Sequence, residues 1–475
     1  METPIEKKTE AGAEAKGHDL LPRRLGLISA IAVLVGSTIG TGIFRSPAGI
    51  ATKVPFEGLY LLLWVLGGFF SLCGALTLAE LASALPRTGG VFVYLREGWG
   101  RLPAFLFGWG ELVIIRASAL GAISTAFAEY FLRLLGHEDP QTVHYVAAAA
   151  IFVVAVFNIL GVRLSALVQN LTTGAKYGAL VLLVLAAFLL GAKNPSPINI
   201  QADHSADSFS VAMFGLAFIS LLWAYDGWAD VTFVSGEVKQ PDKFLPRTLI
   251  GGTLAVIAIY LLANLAYLHL LSINEIANSK LVAADAAYRI IGNDGVKFVS
   301  IAVMISAFGT LNGSMMTGPR IFFAMADDGL FFKKIASVHP RFKTPYLAIS
   351  LAATMAIIFV LLRTFEQLAD TFVLGIWPFY ALSVAAVYTL RRKRPDLPRP
   401  YKTLGYPITP ALFILAVLFL IGNALLNDIR YYSAKFAGGP NPYEWSGALM
   451  VAGIILAGIP VYYIWKAPRS GRNDE

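Results

Sequence analysis

Twelve times along the chain the sequence runs apolar for about twenty residues or more, the length a helix needs to cross the hydrocarbon of a bilayer. The windows lie near residues 25–50, 57–84, 102–134, 143–161, 164–191, 209–236, 248–271, 295–326, 346–363, 367–390, 407–426 and 444–465. Within lipid every backbone polar group must be bonded inside its own segment, which excludes isolated strands and open loops. The expected fold is therefore an all-α integral membrane protein with twelve transmembrane helices. Composition agrees: 56% of the 475 residues are hydrophobic, 14% are charged, and the mean hydropathy is +0.64. A soluble chain of that make-up would leave too much apolar surface in water.

Charge sets the orientation. The net charge of +8 is topological in origin, because 26 of the 38 Lys and Arg fall on one side of the predicted spans and ten on the other. The remaining two, Arg116 and Lys176, are placed within spans and counted to neither side. Positive residues stay on the cytoplasmic side, so both termini are expected there, in a multi-pass protein of the cell membrane. This distribution excludes a nucleic-acid partner and leaves the lipid bilayer as the surrounding partner. The RRKRPDLPRPYK run from Arg391 to Lys402 reads as a topology determinant ahead of an anionic-lipid site. Residues 1–24 are polar and carry no signal-peptide h-region, so the first span is expected to act as a retained insertion signal. The single cysteine, Cys73, lies inside the second span and has no intrachain disulfide partner.

Two spans are interrupted. GSTIGTGIF, Gly36 to Phe44, places three glycines and three hydroxyl residues inside the first apolar run. Each glycine costs a helix about 1 kcal/mol relative to alanine. Backbone unwound at membrane depth is tolerated where it lines a cavity, and there it offers bare N–H groups and a positive half-helix end. The sixth span repeats the device: LLWAYDGWADVTFVSGEV, Leu221 to Val238, sets Asp226, Gly227 and Asp230 within an apolar run. Spans 1–5 (25–191) and 6–10 (209–390) are of similar length, and each half opens with its broken helix. Matched breaks are what an inverted repeat produces. The remaining parts are a tail at 1–24, two extra helices at 407–465 and a tail at 466–475. Between spans 2 and 3, Ala84 to Pro103 reads either as an amphipathic or re-entrant segment closing one mouth of the protein or as a plain loop.

Several motifs in order carry a family resemblance. GSTIGTGIF, AELASALPRTGG, AYDGW…GEVKQPDKFLPRTLIGG and FGTLNGSMMTGPRIFFAMADDGLFFKKIASVHPRFKTP resemble the amino acid–polyamine–organocation superfamily. GELVIIRASA and WAYDGW resemble its L-type amino-acid transporter subgroup and bacterial relatives. The resemblance spans helices 1 to 10 and implies a LeuT-like fold, with five plus five helices in inverted repeat and two more after them. It implies that Thr41 and Gly42, in the loop formed with Ile39 and Gly40, contact the substrate carboxylate. Carbonyls of Thr38, Trp223, Ala224 and Asp226 would take the ammonium. Trp223 stands where relatives carry an aromatic gate. Lys176 matches a lysine whose ammonium replaces sodium in sodium-coupled members of the fold, which implies sodium-independent transport.

Some charges are open to two readings. Lys176 reads either as that replacement or as an interfacial lysine near the end of its span. Asp226 either caps its helix fragment or turns its carboxylate into the cavity, which would favour cationic substrates. Glu111 and Arg116, five apart, fall on different faces of a straight helix and are expected to pair with other helices. Glu80, Arg87 and Glu237 are expected near the cytoplasmic mouth, as an inner latch or as separate helix-end pairs.

The expected function is a secondary amino-acid transporter working by alternating access, for neutral L-amino acids first and cationic ones or polyamines second. Neither a GxxxxGK[ST] phosphate loop nor an HExxH motif occurs, and no metal site or cofactor is expected. An integral-membrane enzyme is the weaker rival. A channel would need a continuous polar stripe, whereas polarity here gathers at two breaks. Animal relatives join a heavy chain through a cysteine between helices 3 and 4; Gly136 to Thr142 holds none, which argues against a disulfide-linked partner.

Overall fold

The computed structural model describes Leu21 and residues 23–137, 139–191, 210–437 and 445–466. The expected tails therefore lie almost wholly outside the described residues. Within them the chain is helical, and twelve apolar helical segments follow one another. The first is split into α1a (Leu27–Thr38) and α1b (Gly42–Lys53). Then come α2 (Glu57–Ala84), α3 (Arg101–Leu134), α4 (Pro140–Leu160) and α5 (Val162–Leu190). The sixth runs as α6a (Val211–Tyr225), unwinds, and resumes as the single turn α6b (Asp230–Phe233). After it come α7 (Pro241–Leu270), α8 (Asn293–Asp327), α9 (Tyr346–Leu362), α10 (Phe365–Lys393), α11 (Ile408–Phe436) and α12 (Ala448–Trp465). Ten of the twelve are long and apolar enough to cross a membrane. The other two are α6a, cut short by its break, and the 17-residue α9, at the lower limit for a span.

Local chemistry marks the ends. Asp139 caps α4 through the Thr142 amide, with Pro140 in the first turn. Thr364 and Gln367 form a reciprocal capping box at the start of α10. Burial then sorts the helices. In their most apolar windows α1 and α3 are 78% buried, whereas α12 is 22% buried, so the broken helix is central and the last pair is peripheral.

The packing follows the repeat. α2 lies along α7, and α3 along α8. Each pair joins helices five apart in order, as elements beside a two-fold between spans 1–5 and 6–10 must do. α1a packs on α5, α7 and α8, while α6a packs on α1b, α10 and α11. This is the LeuT-like arrangement, with its two broken helices inside.

On the face that carries both ends of the described chain, Val91–Trp99 forms the short helix foreseen as one reading of the segment between α2 and α3. Arg96 of this helix pairs with Asp328 at 2.6 Å, Glu97 with Arg394 at 2.6 Å, and the Trp99 indole donates to the Leu382 carbonyl. The expected latch of Glu80, Arg87 and Glu237 is not one cluster. Glu80 binds Arg391 and Thr403, Arg87 faces Glu97, and Glu237 pairs with Arg320. Arginines from the ends of α8 and α10 reach these acids first. They are three separate ties across one closed face.

Candidate functional site

The break in α1 spans Ile39 to Thr41. The Ile39 amide still reaches the Val35 carbonyl, and the Gly40 amide turns back to Thr38 at 2.8 Å. Beyond that the ladder stops: the amides of Thr41, Gly42 and Ile43 have no acceptor among the described residues. The Thr41 hydroxyl, in a residue only 2% exposed, is also without a partner. Unpaired donors at the first turn of α1b are the groups a helix N-terminus offers to an anion.

The break in α6 spans Asp226 to Ala229. Asp226 ends α6a in an extended conformation, and Gly227 turns the chain at φ +103°. A Cβ at Gly227 would also lie 2.7 Å from the Ser37 carbonyl carbon, so a side chain is excluded both by its own backbone and by α1a. The two breaks touch again at Gly42, where a Cβ would lie 2.4 Å from the Cα of Ala224. From α7 the Tyr260 hydroxyl bridges them, 2.7 Å from the Thr38 carbonyl and 3.0 Å from that of Ala224.

Between them lies a cavity of about 40 Å³. One water needs about 10–15 Å³ on this measure, so the space suits a small polar headgroup and little more. Thr38, Gly40, Thr41, Gly42, Trp223 and Asp226 line it, as does Gly227. Ile39 and Ala224 do not. The Ile39 carbonyl turns to Lys176, and the Ala224 carbonyl turns to Tyr260. Asp226 lines the cavity, and its buried Oδ1 accepts no hydrogen bond.

Trp223 also lines a second cavity, of about 860 Å³, bounded by Arg45, Glu129, Lys280 and Glu366 on the face opposite the Arg–acid ties. Its ring is the partition between the two spaces. Phe365 and Phe372 hold it edge-on at 5.9 and 5.4 Å. Arg45 lies 4.0 Å above Phe365 and pairs with both Glu129 and Glu366. The indole N–H of Trp223 is buried without an acceptor.

Lys176 is 1% exposed and lies fourteen residues into α5, so it is not interfacial. Its Nζ donates to the carbonyls of Gly36 (2.7 Å), Ile39 (2.8 Å) and Ser306 (3.0 Å), and lies 2.8 Å from Thr310 Oγ1. Four oxygens around one point are a cation cage, and here a tethered ammonium fills it. Two of the four, the Gly36 and Ile39 carbonyls at the α1 break, otherwise meet only hydroxyls of α8. Among the described residues no group of three His, Cys, Asp or Glu is placed to hold a metal ion.

Glu111 and Arg116 correct the sequence reading. They pair with each other, Nε to Oε2 at 3.0 Å, because Glu111–Ile115 is a π-helical turn. An i→i+5 ladder brings residues five apart onto one face. Arg116 also donates to Ser314 Oγ at 2.8 Å and reaches the cavity wall. Asp230, 4% exposed, accepts from Thr317 Oγ1 at 3.1 Å and lines the same wall. Sequence reasoning missed Arg116, Asp230 and Tyr260 as part of this site. A charged pair five apart within an apolar span was the available signal for the first; nothing local marked Tyr260.

Comparison with known proteins gives a consistent picture. Residues 25–457 match the family described as amino acid permease. The chain is 33% identical to the serine/threonine exchanger SteT of Bacillus subtilis over 94% of its length and 97% of that protein. It is 32% identical to the human b(0,+)-type amino acid transporter 1, covering 84% of the chain and 82% of the relative. It is likewise 32% identical to the human cystine/glutamate transporter, covering 94% and 87%. Broken helices 1 and 6, the unpaired amides between them and a match across nearly the whole length agree: the chain belongs to the amino acid permease family.

Proposed function

We propose that this permease exchanges small neutral amino acids across the cell membrane, independently of sodium, with both termini in the cytoplasm. The observation that carries the reading is the polarity of the central cavity. Unpaired amides and the Thr41 hydroxyl stand at one end, and the Asp226 carboxylate stands at the other. A zwitterion is the ligand complementary to both. The small volume favours side chains such as those of alanine, serine and threonine, in line with the serine/threonine exchange of the Bacillus subtilis relative. Lys176 supports sodium independence, because its ammonium occupies the oxygens a sodium ion would need.

Transport follows as alternating access, with residues 25–191 and 209–390 as the two rocking repeats and 407–465 as flanking helices. Trp223 is the gate towards the large vestibule, and the Arg–acid ties close the opposite face. The amino acid is carried, not transformed. The Asp226 carboxylate favours a second reading, basic amino acids, which the same assay separates. Proteoliposomes holding the purified chain are expected to take up labelled serine or alanine saturably and faster when loaded inside with amino acid. Replacing sodium with choline is expected to leave the rate unchanged. Failure to move any amino acid overturns the assignment, and uptake that requires sodium overturns the role of Lys176.

A further inference from the structure

Beside its two broken helices, the central cavity has a third wall. Helix α3 contributes Arg116, Ala119 and Ile123, which recur at helical spacing on one face. Phe372 of α10 adds a ring, and Ser314 of α8 adds a hydroxyl. Arg116 is fixed in place. Its Nε and Nη2 go to Glu111 at 3.0 and 3.4 Å, and its Nη1 donates to Ser314 Oγ at 2.8 Å. Gly318, one turn beyond Ser314, makes the room: a Cβ there would lie 2.4 Å from Arg116 Nε. The Ser314 hydroxyl accepts this bond, so its own hydrogen is left for another acceptor. Two other hydroxyls of α8 return theirs to the helix: Thr310 to the Ser306 carbonyl at 3.0 Å, and Thr317 to the Ser314 carbonyl at 3.4 Å. Ser314, in a residue 4% exposed, donates to no acceptor among the described residues.

A buried donor left without an acceptor is costly, and accepting from a guanidinium strengthens a hydroxyl as a donor. We infer that Ser314 gives its hydrogen to a side-chain oxygen of the transported amino acid, so that the site selects the β-hydroxy amino acids serine and threonine over alanine and valine. This rests on the amino-acid reading above and adds the residue that sets selectivity within it. Arg116 is then a positioning residue: by occupying an acceptor position of Ser314 Oγ it leaves the hydroxyl hydrogen to the ligand. Ala119, Ile123 and Phe372 supply apolar contacts for the rest of the side chain. Threonine and valine have nearly the same shape, so the size of the cavity does not separate them. A hydroxyl partner does, because valine leaves the Ser314 donor unpaired. One such bond corresponds to about tenfold in affinity.

The test is competition against labelled serine uptake in proteoliposomes holding the full-length protein, with unlabelled threonine and valine as the paired competitors. In the wild type threonine is expected to compete about tenfold better than valine. In Ser314→Ala that ratio is expected to fall to within about twofold of unity. A purely structural role, in which Ser314 serves only to hold Arg116, weakens both competitors alike and leaves the ratio where it was. Ser314→Thr keeps the hydroxyl and is expected to keep the preference. If Ser314→Ala does not transport, Ser314→Cys is read in the same way, since a thiol is a weak donor and the ratio is expected to fall. Equal competition by threonine and valine in the wild type overturns the inference while leaving the transport reading intact, as does a ratio that the loss of the hydroxyl does not change. Uptake of no amino acid at all overturns the transport reading instead.

Discussion

The two broken helices do the same thing to the backbone and opposite things to the charge. At α1 the interruption runs through Ile39, Gly40 and Thr41, and no side chain there is ionisable. It contributes amides, a hydroxyl and, on its far side, the Gly36 and Ile39 carbonyls that grip Lys176. At α6 the interruption is flanked by two aspartates and by Trp223, the partition to the vestibule. On the proposed function, one break is the anion-binding end and an anchor to α5 and α8, and the other is the cation-binding end and the gate. A pseudo-symmetric scaffold has been used asymmetrically, because a zwitterion has two different ends. Tyr260 and the close contacts at Gly42 and Gly227 then hold the two ends at one spacing.

That division can be broken from either side. The largest effect is expected from Gly227→Ala, since the new methyl meets the α1a backbone in a conformation that alanine rarely adopts. Uptake in proteoliposomes should fall more than about a hundredfold, with strain and contact together costing about 3 kcal/mol or more. Activity near that of the wild type would show that the breaks need not touch. Next comes Lys176→Ala, which uncaps the oxygen cage behind the α1 break. Transport should drop by at least about tenfold, since a buried charge-assisted network loses its donor. Any rescue by sodium would identify the cage as a latent sodium site; unaltered sodium-free transport would remove Lys176 from the mechanism. The smallest effect belongs to Thr41→Val, which deletes one hydroxyl from the anion end and leaves the amides. Apparent affinity should weaken by about tenfold, the worth of one hydrogen bond to a charged group. Surface expression should be unchanged. Unchanged affinity would assign the carboxylate to the amides alone.

The two faces of the protein differ in a related way. The face of the Arg–acid ties is closed by side chains from α2, the Val91–Trp99 helix, α8 and α10. The opposite face keeps the large vestibule, crossed by one arginine, Arg45, held between Glu129 and Glu366. A single hub is easier to release than several ties, and the cavity is thus closer to opening on the vestibule side.

Much of this was legible in one dimension. Apolar run lengths determined twelve spans, because lipid leaves the backbone no other way to satisfy itself. Glycine and aspartate inside those runs determined where two helices break, because each is costly there unless the backbone or the charge is used. What no spacing rule could determine was who meets whom. Glu111 and Arg116 looked mismatched on a straight helix and meet only because α3 takes a π turn. Lys176 could be read as interfacial until its ammonium proved to be buried among four oxygens from α1 and α8. Ile39 lies in the α1 break and Ala224 in the last turn of α6a, but their carbonyls turn to Lys176 and Tyr260, not to the cavity. Latch partners for Glu80 and Glu237 came from helices far along the chain. By itself the sequence determined the spans, their breaks and the residue types at them, since these follow from the local cost of putting each residue in lipid. The tertiary structure alone decided the pairing of buried charges, the smallness of the cavity and Trp223 as its partition, because those depend on distances between helices that no local cost encodes.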